Sequence, residues 1–580
     1  MLGSDLKFFL NSSVHVKQAT QIHAHILVNG LPNLESCLVR QITRSQFTCA
    51  RIVSRYLQRI LHHSQNPDAF TWSCAVRFFS KNGQFMEAIA HYVQMQRLGL
   101  HPSTFAVSST LRACGRIMCK FGGRCIHAQV YKLGFCRCVY VQTSLVDFYS
   151  KLGDMGFAQK VFDDMTEKNV VSWNSILSGY VKIGNLVDAQ KVFDEMPVKD
   201  VISWNSMLTG FSNSGNMDRA LCLFQQMREK SSASWNAMIS GYVNCGDMKA
   251  ARNLFDVMPN RNNVTRITLI AGYSKLGEVN SACELFDKMG ENEKELFSFN
   301  AMIACYSQNG LPNKALELFN QMLQPHLNIQ PDEMTFASVI SACTQLGNLS
   351  YGTWIESYME KLGIELDDHL ATALVDLYAK SGNIDRAFEL FNDLKKRDLV
   401  AYSAMIFGCG INGKAHEAIG LFKEMLRVNI SPNLVTYAGL LTAYNHAGLV
   451  DEGYFCFSSM KDHGLAPLAD HYGIMVDLLG RAGRLEEAYE LIRSMPVQPN
   501  AGVWGALLHA CKLHNNVELG EIAARNCSKS VTDTTGYRSL LANIYSSMER
   551  WDDAKRMRKA MSNKVFAKIS GCSWMEQSES

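Results

Sequence analysis

Apolar residues recur along this chain at three- and four-residue spacing, in short runs broken by glycine with asparagine or aspartate. In residues 170–200, VVSWNSILSGYVKIGNLVDAQKVFDEMPVKD, the side chains of Trp173, Ile176, Leu177 and Tyr180 fall on one face of a first helix. Gly184-Asn185 breaks that helix with residues that tolerate a left-handed turn. A second helix then carries Leu186, Ala189, Val192, Phe193 and Met196 on its inner face, and Pro197 helps to end it. Small Ala189 lets the two helices approach closely. Such a hairpin cannot bury both faces alone and needs neighbours.

The neighbours are written in the same hand. Trp173, Trp204 and Trp235 stand 31 residues apart, each followed by asparagine, in SWNSILSGYVKIGN, SWNSMLTGFSNSGN and SWNAMISGYVNCGD. Aligning the rest on the position after the aromatic gives thirteen repeats, starting at Ala69, Thr104, Val139, Val170, Val201, Ser232, Asn263, Leu296, Glu333, Asp368, Leu399, Leu434 and Ala469. Their lengths run 35, 35, 31, 31, 31, 31, 33, 37, 35, 31, 35, 35 and 32. Two further hairpin-like segments follow, near 501–534 and from 535 to about 570. Residues 1–68 are less regular, although QIHAHILVNGLPN resembles the second half of a repeat. The pattern predicts an all-α stack of small units, with function on the repeated surface.

Composition narrows this picture. A chain of 580 residues would by length alone suggest about four domains, but the repeat overrides that prior. Hydrophobic residues at 47% and charged residues at 19% exclude disorder, and 12 prolines fit an almost wholly helical chain. A net charge of +3 is weak for a protein that grips nucleic acid through phosphates, so an RNA reading must rest on specific side chains. No apolar run reaches the ~18 residues needed to span a membrane. The 18 cysteines are scattered, without a Cys-x-x-Cys, in helical runs such as ISAC and LHAC. They read as small buried apolar residues of a reducing compartment. Cys125, His127, Cys136 and Cys138 form the one tight group, and their spacing matches no zinc pattern.

The mixture of repeat lengths resembles the plant pentatricopeptide repeat (PPR) family of the PLS subclass, over roughly residues 15–576. MVDLLGRAGRLEEAYELIRSMPVQPN at 475–500 looks like the final repeat, and WGALLHACKLHNNVELGEIAARN, GYRSLLANIYSSMERWDDAKRMRKAM and SGCSWMEQ within 501–577 look like the extension (E) motifs, of RNA-editing members. The resemblance implies a right-handed superhelical solenoid of helix-turn-helix repeats. Tetratricopeptide arrays are built from the same hairpin with a steady period of ~34 residues and hold peptides. The alternating lengths and the tail argue against that reading.

By the resemblance, two residues per repeat face one RNA base: the one after the aromatic on the first helix, and the last of the repeat. Their chemistry follows from donors and acceptors. Uracil and guanine present a ring N–H on the Watson–Crick edge; adenine and cytosine present a bare ring nitrogen. An ionised Asp accepts only and favours the first pair, whereas Asn can donate and favours the second. At the first-helix position, the family implies that Asn favours pyrimidines and Thr or Ser purines. Thr143 with Asn169 then reads adenine, Asn174 with Asp200 uracil, and Asn205 with Ser231 cytosine. Asn236 with Asn262 reads a pyrimidine, cytosine first; Asn300 with Asp332 reads uracil, Thr372 with Asp398 guanine, and Ser403 with Asn433 adenine. Ile267, Ala337, Ala438 and Gly473 are mute, and Ser73 with Ser103 and Ser108 with Cys138 are ambiguous. The expected target is A-U-C-Y-n-U-n-G-A, from the repeat at Val139 to that at Leu399. A competing reading makes the asparagine after tryptophan the N-cap of the first helix.

The deaminase domain that often ends such chains needs His-x-Glu and Pro-Cys-x-x-Cys, and neither occurs here, so the chain reads as a non-enzyme needing no cofactor. The expectation is a site-recognition factor for C-to-U editing of single-stranded organellar RNA. It would recruit in trans a PPR protein carrying the deaminase domain, together with multiple organellar RNA editing factors. The alternative is transcript stabilisation or splicing without editing. Residues 1–68 hold seven Lys or Arg against three Asp or Glu, which is compatible with a short presequence. The family implies mitochondrion or chloroplast, and the reading leans to the mitochondrion.

Overall fold

The computed structural model describes residues 67–562, apart from 291–292 and 531–534, together with a few positions between 39 and 61. The presequence reading, QIHAHILVNGLPN and SGCSWMEQ fall outside the described residues. Among the described residues every regular element is helical, and the chain divides into two units, Met1–Leu276 and Gly277–Ser580.

In the first unit, first helices begin at Ala69, Thr104, Val139, Val170, Val201, Ser232 and Asn263. The Val170 repeat shows how the pattern becomes structure. Its first helix runs Val170–Lys182; Gly184 adopts φ +78°, in the left-handed region where a side chain would be strained, and Asn185 caps the second helix, Leu186–Glu195. Ile176, Leu177, Ala189, Val192, Phe193 and Met196 are buried. Trp173 is half-buried, and its ring meets Phe162 of the preceding second helix edge-on, centroids 4.8 Å apart at 76°. The same contact recurs at Phe193–Trp204 (5.0 Å, 80°) and Phe224–Trp235 (4.9 Å, 81°). Each such pair contributes about 0.5–1.5 kcal/mol beyond the area it buries and sets the register of one repeat on the last.

The second unit repeats this construction with first helices at Leu296, Glu333, Asp368, Leu399, Leu434 and Ala469. Two more hairpins follow, Ala501–Leu513 with Val517–Ser530 and Thr535–Ser547 with Trp551–Ser562. The ring contact persists at Phe286–Phe299, Phe391–Tyr402 and Phe457–Tyr472. Some second helices open with an Asx cap, at Asn185, Asn216 and Asp247 in the first unit and Asn348 and Asn383 in the second; Asn216 Oδ1, for one, accepts from Arg219 N at 3.3 Å. Asn216→Ala should cost about 1 kcal/mol, read as faster amide exchange confined to Met217–Gln226.

The cysteine expectation needs correcting. Of the 15 described, seven are buried, but Cys125, Cys222 and Cys245 are exposed. Burial pushes the thiols of Cys114, Cys343, Cys409 and Cys511 up to about 12, so these are inert packing groups. His127 Nδ1 pairs with the Tyr149 hydroxyl at 2.8 Å, and Cys136 Sγ donates to the Val130 carbonyl. Among the described residues no group of three or more His, Cys, Asp or Glu is placed to hold a metal, and no helix is long and apolar enough to cross a membrane.

Candidate nucleic-acid interface

Each repeat's last residue also opens the next first helix. Asn169, Asp200, Ser231, Asn262, Asp332, Asp398 and Asn433 are N-caps in extended backbone, each accepting a backbone N–H from three residues on. Asn174, by contrast, lies inside Val170–Lys182, and it is Asn169 Oδ1 that accepts from Ser172 N at 2.8 Å. The reading that made the asparagine after tryptophan a cap is overturned. Capping belongs to the other member of the pair.

That duty orients the side chain. A cap must present an oxygen to the helix N–H groups, so one oxygen is turned inward and the other terminal atom faces away. For asparagine the atom left over is Nδ2, a donor; for aspartate it is Oδ2, an acceptor. Asp200 Oδ1 takes three bonds: from Ser203 N at 2.9 Å, Ser203 Oγ at 2.8 Å and Asn174 Nδ2 at 3.1 Å. Asn433 Oδ1 likewise takes Thr436 N and Oγ1, both at 2.9 Å. Rotating the amide would break the cap, so Asn and Asp at this place differ chemically as well as in name. Desolvation raises the Asp200 carboxyl, but the bonds from Ser203 and Asn174 outweigh it and hold the group below the usual value of 3.8. A carboxyl depressed in the folded state contributes stability that is present above its unfolded value and lost as pH falls through the folded one. Asp200 is therefore an ionised acceptor at any physiological pH.

The structure brings several predicted pairs together. Asn174 Nδ2 donates to Asp200 Oδ1 at 3.1 Å, Asn205 Nδ2 to Ser231 Oγ at 3.2 Å, and Asn300 Nδ2 to Asp332 Oδ1 at 2.9 Å. Ser403 Oγ reaches Asn433 Oδ1 only at 3.5 Å and is itself buried, 4% exposed. Asn236 and Asn262 meet through Thr265 Oγ1, at 2.9 and 2.5 Å from their Oδ1 atoms. In two further pairs no hydrogen bond, direct or through a third residue, joins the side chains. Thr143 Oγ1 is buried without a hydrogen bond, and Thr372 Oγ1 donates to the Asp368 carbonyl at 2.7 Å, away from Asp398.

A family model described as PPR repeat matches residues 70–100, 143–170, 171–201, 202–232, 233–263, 264–293, 370–399, 435–465 and 470–498, and a PPR repeat family model matches 294–345 and 397–446. The chain belongs to the pentatricopeptide repeat family. An E motif model matches residues 514–576 of this PPR protein. Pentatricopeptide repeat-containing protein At4g22760 of Arabidopsis thaliana is 55% identical over 100% of both chains. At2g22410, mitochondrial, also of Arabidopsis thaliana, is 36% identical over 97% of this chain and 83% of its own. Among solved structures, PPR10 in complex with an 18-nt psaJ RNA element aligns at TM-score 0.48 and 17% identity, over 98% of this chain and 92% of that one. The matched models are repeat and extension motifs, and the chain is a repeat protein.

Sequence reasoning missed three further features of the PPR surface. The third residue of the following helix, Ser203, Ser234, Thr265, Thr335 or Thr436, is fully buried and bonds to the fifth-position side chain of the repeat before. Its signal was in plain sight: a hydroxyl precedes the aromatic in SWN, SFN, TFA and TYA, and stands at the same place in TRI, where arginine replaces the aromatic. The second residue is large, apolar and exposed, as at Val171, Ile202 (61%), Phe297, Val400 and Val435. Three residues before the fifth position, it stands on the same helix face. Finally, Lys81, Arg116, Lys151 and Lys182 occupy the last turn of four successive first helices, with Lys182 Nζ donating to the Lys151 carbonyl at 3.0 Å.

Proposed function

We propose that this protein reads single-stranded RNA one base per repeat and serves as a site-recognition factor for C-to-U editing in an organelle. The observation that carries the RNA reading is the bonded pair itself, repeated at Asn174–Asp200, Asn205–Ser231 and Asn300–Asp332. At Asn174–Asp200, the second N–H of the amide and the outward carboxylate oxygen form a donor beside an acceptor. That edge complements a carbonyl and the ring N–H of uracil. Where Asn262 replaces the aspartate, the outward atom becomes a donor, suited to the bare ring nitrogen of cytosine. Where the second position carries an exposed apolar residue, as at Val171, Ile202, Phe297 and Val400, it offers the base a face to lie on. The register A-U-C-Y-n-U-n-G-A follows, from the Val139 repeat to the Leu399 repeat.

Editing as the purpose is supported by the E motif at 514–576, which resembles that of editing members. The deaminase then acts in trans, brought by this segment together with multiple organellar RNA editing factors. The compartment is the mitochondrion or the chloroplast, with the mitochondrion preferred. Sequencing organelle RNA from plants lacking the protein tests this directly. The expected result is loss of conversion at one or a few cytidines that follow the stated register at a fixed offset. Intact editing with shortened or unspliced transcripts would replace editing by stabilisation or splicing.

The cationic column makes a separate prediction. Arg116→Ala and Lys182→Ala should each weaken all RNAs alike and lower the slope of log affinity against log salt by about 0.7, the value for one phosphate contact on a single strand. Titrations between about 50 and 200 mM salt would measure it. A base-dependent loss would instead place these side chains at the bases.

A further inference from the structure

Where two repeats stack, a pair of rings commonly fills the interface, as Phe193 and Trp204 do with centroids 5.0 Å apart. Phe193 is the eighth residue of its second helix, and Trp204 the fourth of the first helix that follows. Between the last two hairpins, Val517–Ser530 and Thr535–Ser547, the same two places hold Ala524 and Arg538. A hydrogen bond confirms the register. Tyr180 donates to Gln159 Oε1 at 2.9 Å, and from matching places Tyr545 donates to Glu521 Oε1 at 2.9 Å.

Both ring places are thus vacated, and Ala524 and Arg538 line a cavity of about 500 Å³. Its apolar wall is Ala524, Leu541 and Tyr545, all buried, with Met557 beside them. The acids at its edge are already matched. Asp553 takes Arg550 at 2.6 Å and also Arg556, and Glu521 lies 3.4 Å from Arg550. Arg525 and Arg538 also line the cavity, and neither has an ion pair or hydrogen bond among the described residues. Residues 501–562 hold nine Lys or Arg against six Asp or Glu, an excess equal to the +3 of the whole chain. The base-facing chemistry is missing from both hairpins: the second places are Gly502 and Gly536, and the fifth are Gly505 and Ser539.

We propose that this cavity is a docking site for a protein partner, which inserts an aromatic side chain where the repeats pack their own rings and sets a neighbouring Asp or Glu against Arg525 and Arg538. The inference rests on reading the extension as the segment that engages a protein in trans, and it names the chemistry of the peptide taken. An aromatic side chain would cover the apolar wall and gain a guanidinium at its ring. A carboxylate would supply the two arginines with charge-assisted hydrogen bonds. RNA phosphates could meet the arginines but would leave the apolar wall bare.

The probe is a library of random short peptides displayed on phage and panned against the full-length protein. Selected peptides are then synthesised and titrated, with RNA of the register A-U-C-Y-n-U-n-G-A titrated in parallel. Two variants are compared. Ala524→Phe with Arg538→Trp refills the cavity as the repeats do, and Arg525→Glu reverses one exposed charge, carrying the test should the double substitution lower the melting temperature. The selected peptides should share an aromatic residue beside Asp or Glu. Each variant should weaken them by about tenfold or more while RNA affinity stays unchanged. If no such motif emerges, or both variants bind the peptides as the wild type does, the inference is overturned. It is equally overturned if Arg525→Glu loses RNA affinity in place of peptide affinity, since the arginines would then be phosphate contacts. Plants lacking the protein separate this from the editing reading. Should the refilled variant restore cytidine conversion as well as the wild type does, the editing reading stands and the docking site falls. Should editing be intact without the protein while the peptide results hold, the editing reading falls alone.

Discussion

Replacing Asp200 by asparagine should convert the uridine preference of the Val170 repeat into a cytidine preference. The substitution leaves the cap intact, because the amide oxygen accepts from Ser203 N as the carboxylate oxygen does now. What changes is the outward atom, from an acceptor to a donor. Against uracil, the new N–H meets the ring N–H and two donors are left facing each other, which costs about 1–3 kcal/mol in a desolvated site. Against cytosine it finds the ring nitrogen and regains a bond of similar worth. The two effects together predict a swing of about a hundredfold in the ratio of affinities for RNAs that differ at this one nucleotide. Asn262→Asp should act in the opposite sense one repeat beyond the next, moving preference from cytidine to uridine. Binding to single-nucleotide variants of A-U-C-Y-n-U-n-G-A measures both. Equal weakening for uridine and cytidine would mean that Asp200 caps a helix and does nothing more.

Gly439→Ala should destabilise the packing of the Leu399 and Leu434 repeats by about 3 kcal/mol. At other close approaches the obstacle is a side chain: a Cβ on Gly179 would meet the Cβ and Oγ of Ser150 and the flexible Met155 thioether. At Gly439 the obstacle is backbone. An added Cβ would stand 2.7 Å from Phe407 Cα and 2.8 Å from Phe407 N, while one on Gly410 would meet the Gly439 carbonyl at 2.6 Å. Neither backbone can rotate aside, so the helices Leu399–Ile411 and Leu434–Ala447 would have to separate. Because each hairpin is held by its neighbours, the loss should appear as local opening of these helices in amide exchange before any global melting. Gly420 is the matched control. It lies exposed within Ala415–Arg427 with nothing inside 4 Å of a new Cβ, and Gly420→Ala should stabilise by about 0.5–1 kcal/mol. Equal effects from both changes would remove the close approach as the explanation.

Much of this protein is legible in the one-dimensional pattern, because a repeat array is assembled from local rules. The three-four spacing of Trp173, Ile176 and Leu177, the Gly184-Asn185 break and the small Ala189 need only neighbours in sequence to specify a hairpin, and a helix begins at Val170 and Leu186. Donor and acceptor chemistry at Asn174 and Asp200 could likewise be read from residue type. Which of the two caps the helix could not, since both are good capping residues and the choice depends on where the chain leaves extended backbone. The third partner was hidden for a different reason: Ser203 lies 29 residues from Asn174 in sequence, and only the stacking of one first helix on the next brings its hydroxyl within 2.7 Å. The same stacking buried Ser403, turned Thr372 toward its own helix, exposed Cys125, Cys222 and Cys245, and set Gly439 against the backbone of Phe407. Periodicity determines the unit and its polar edge, because helices form from contacts between near neighbours. The orientation of each edge is settled by the repeat that packs beside it, because a hydrogen bond selects the atom that faces it and not the residue that carries it.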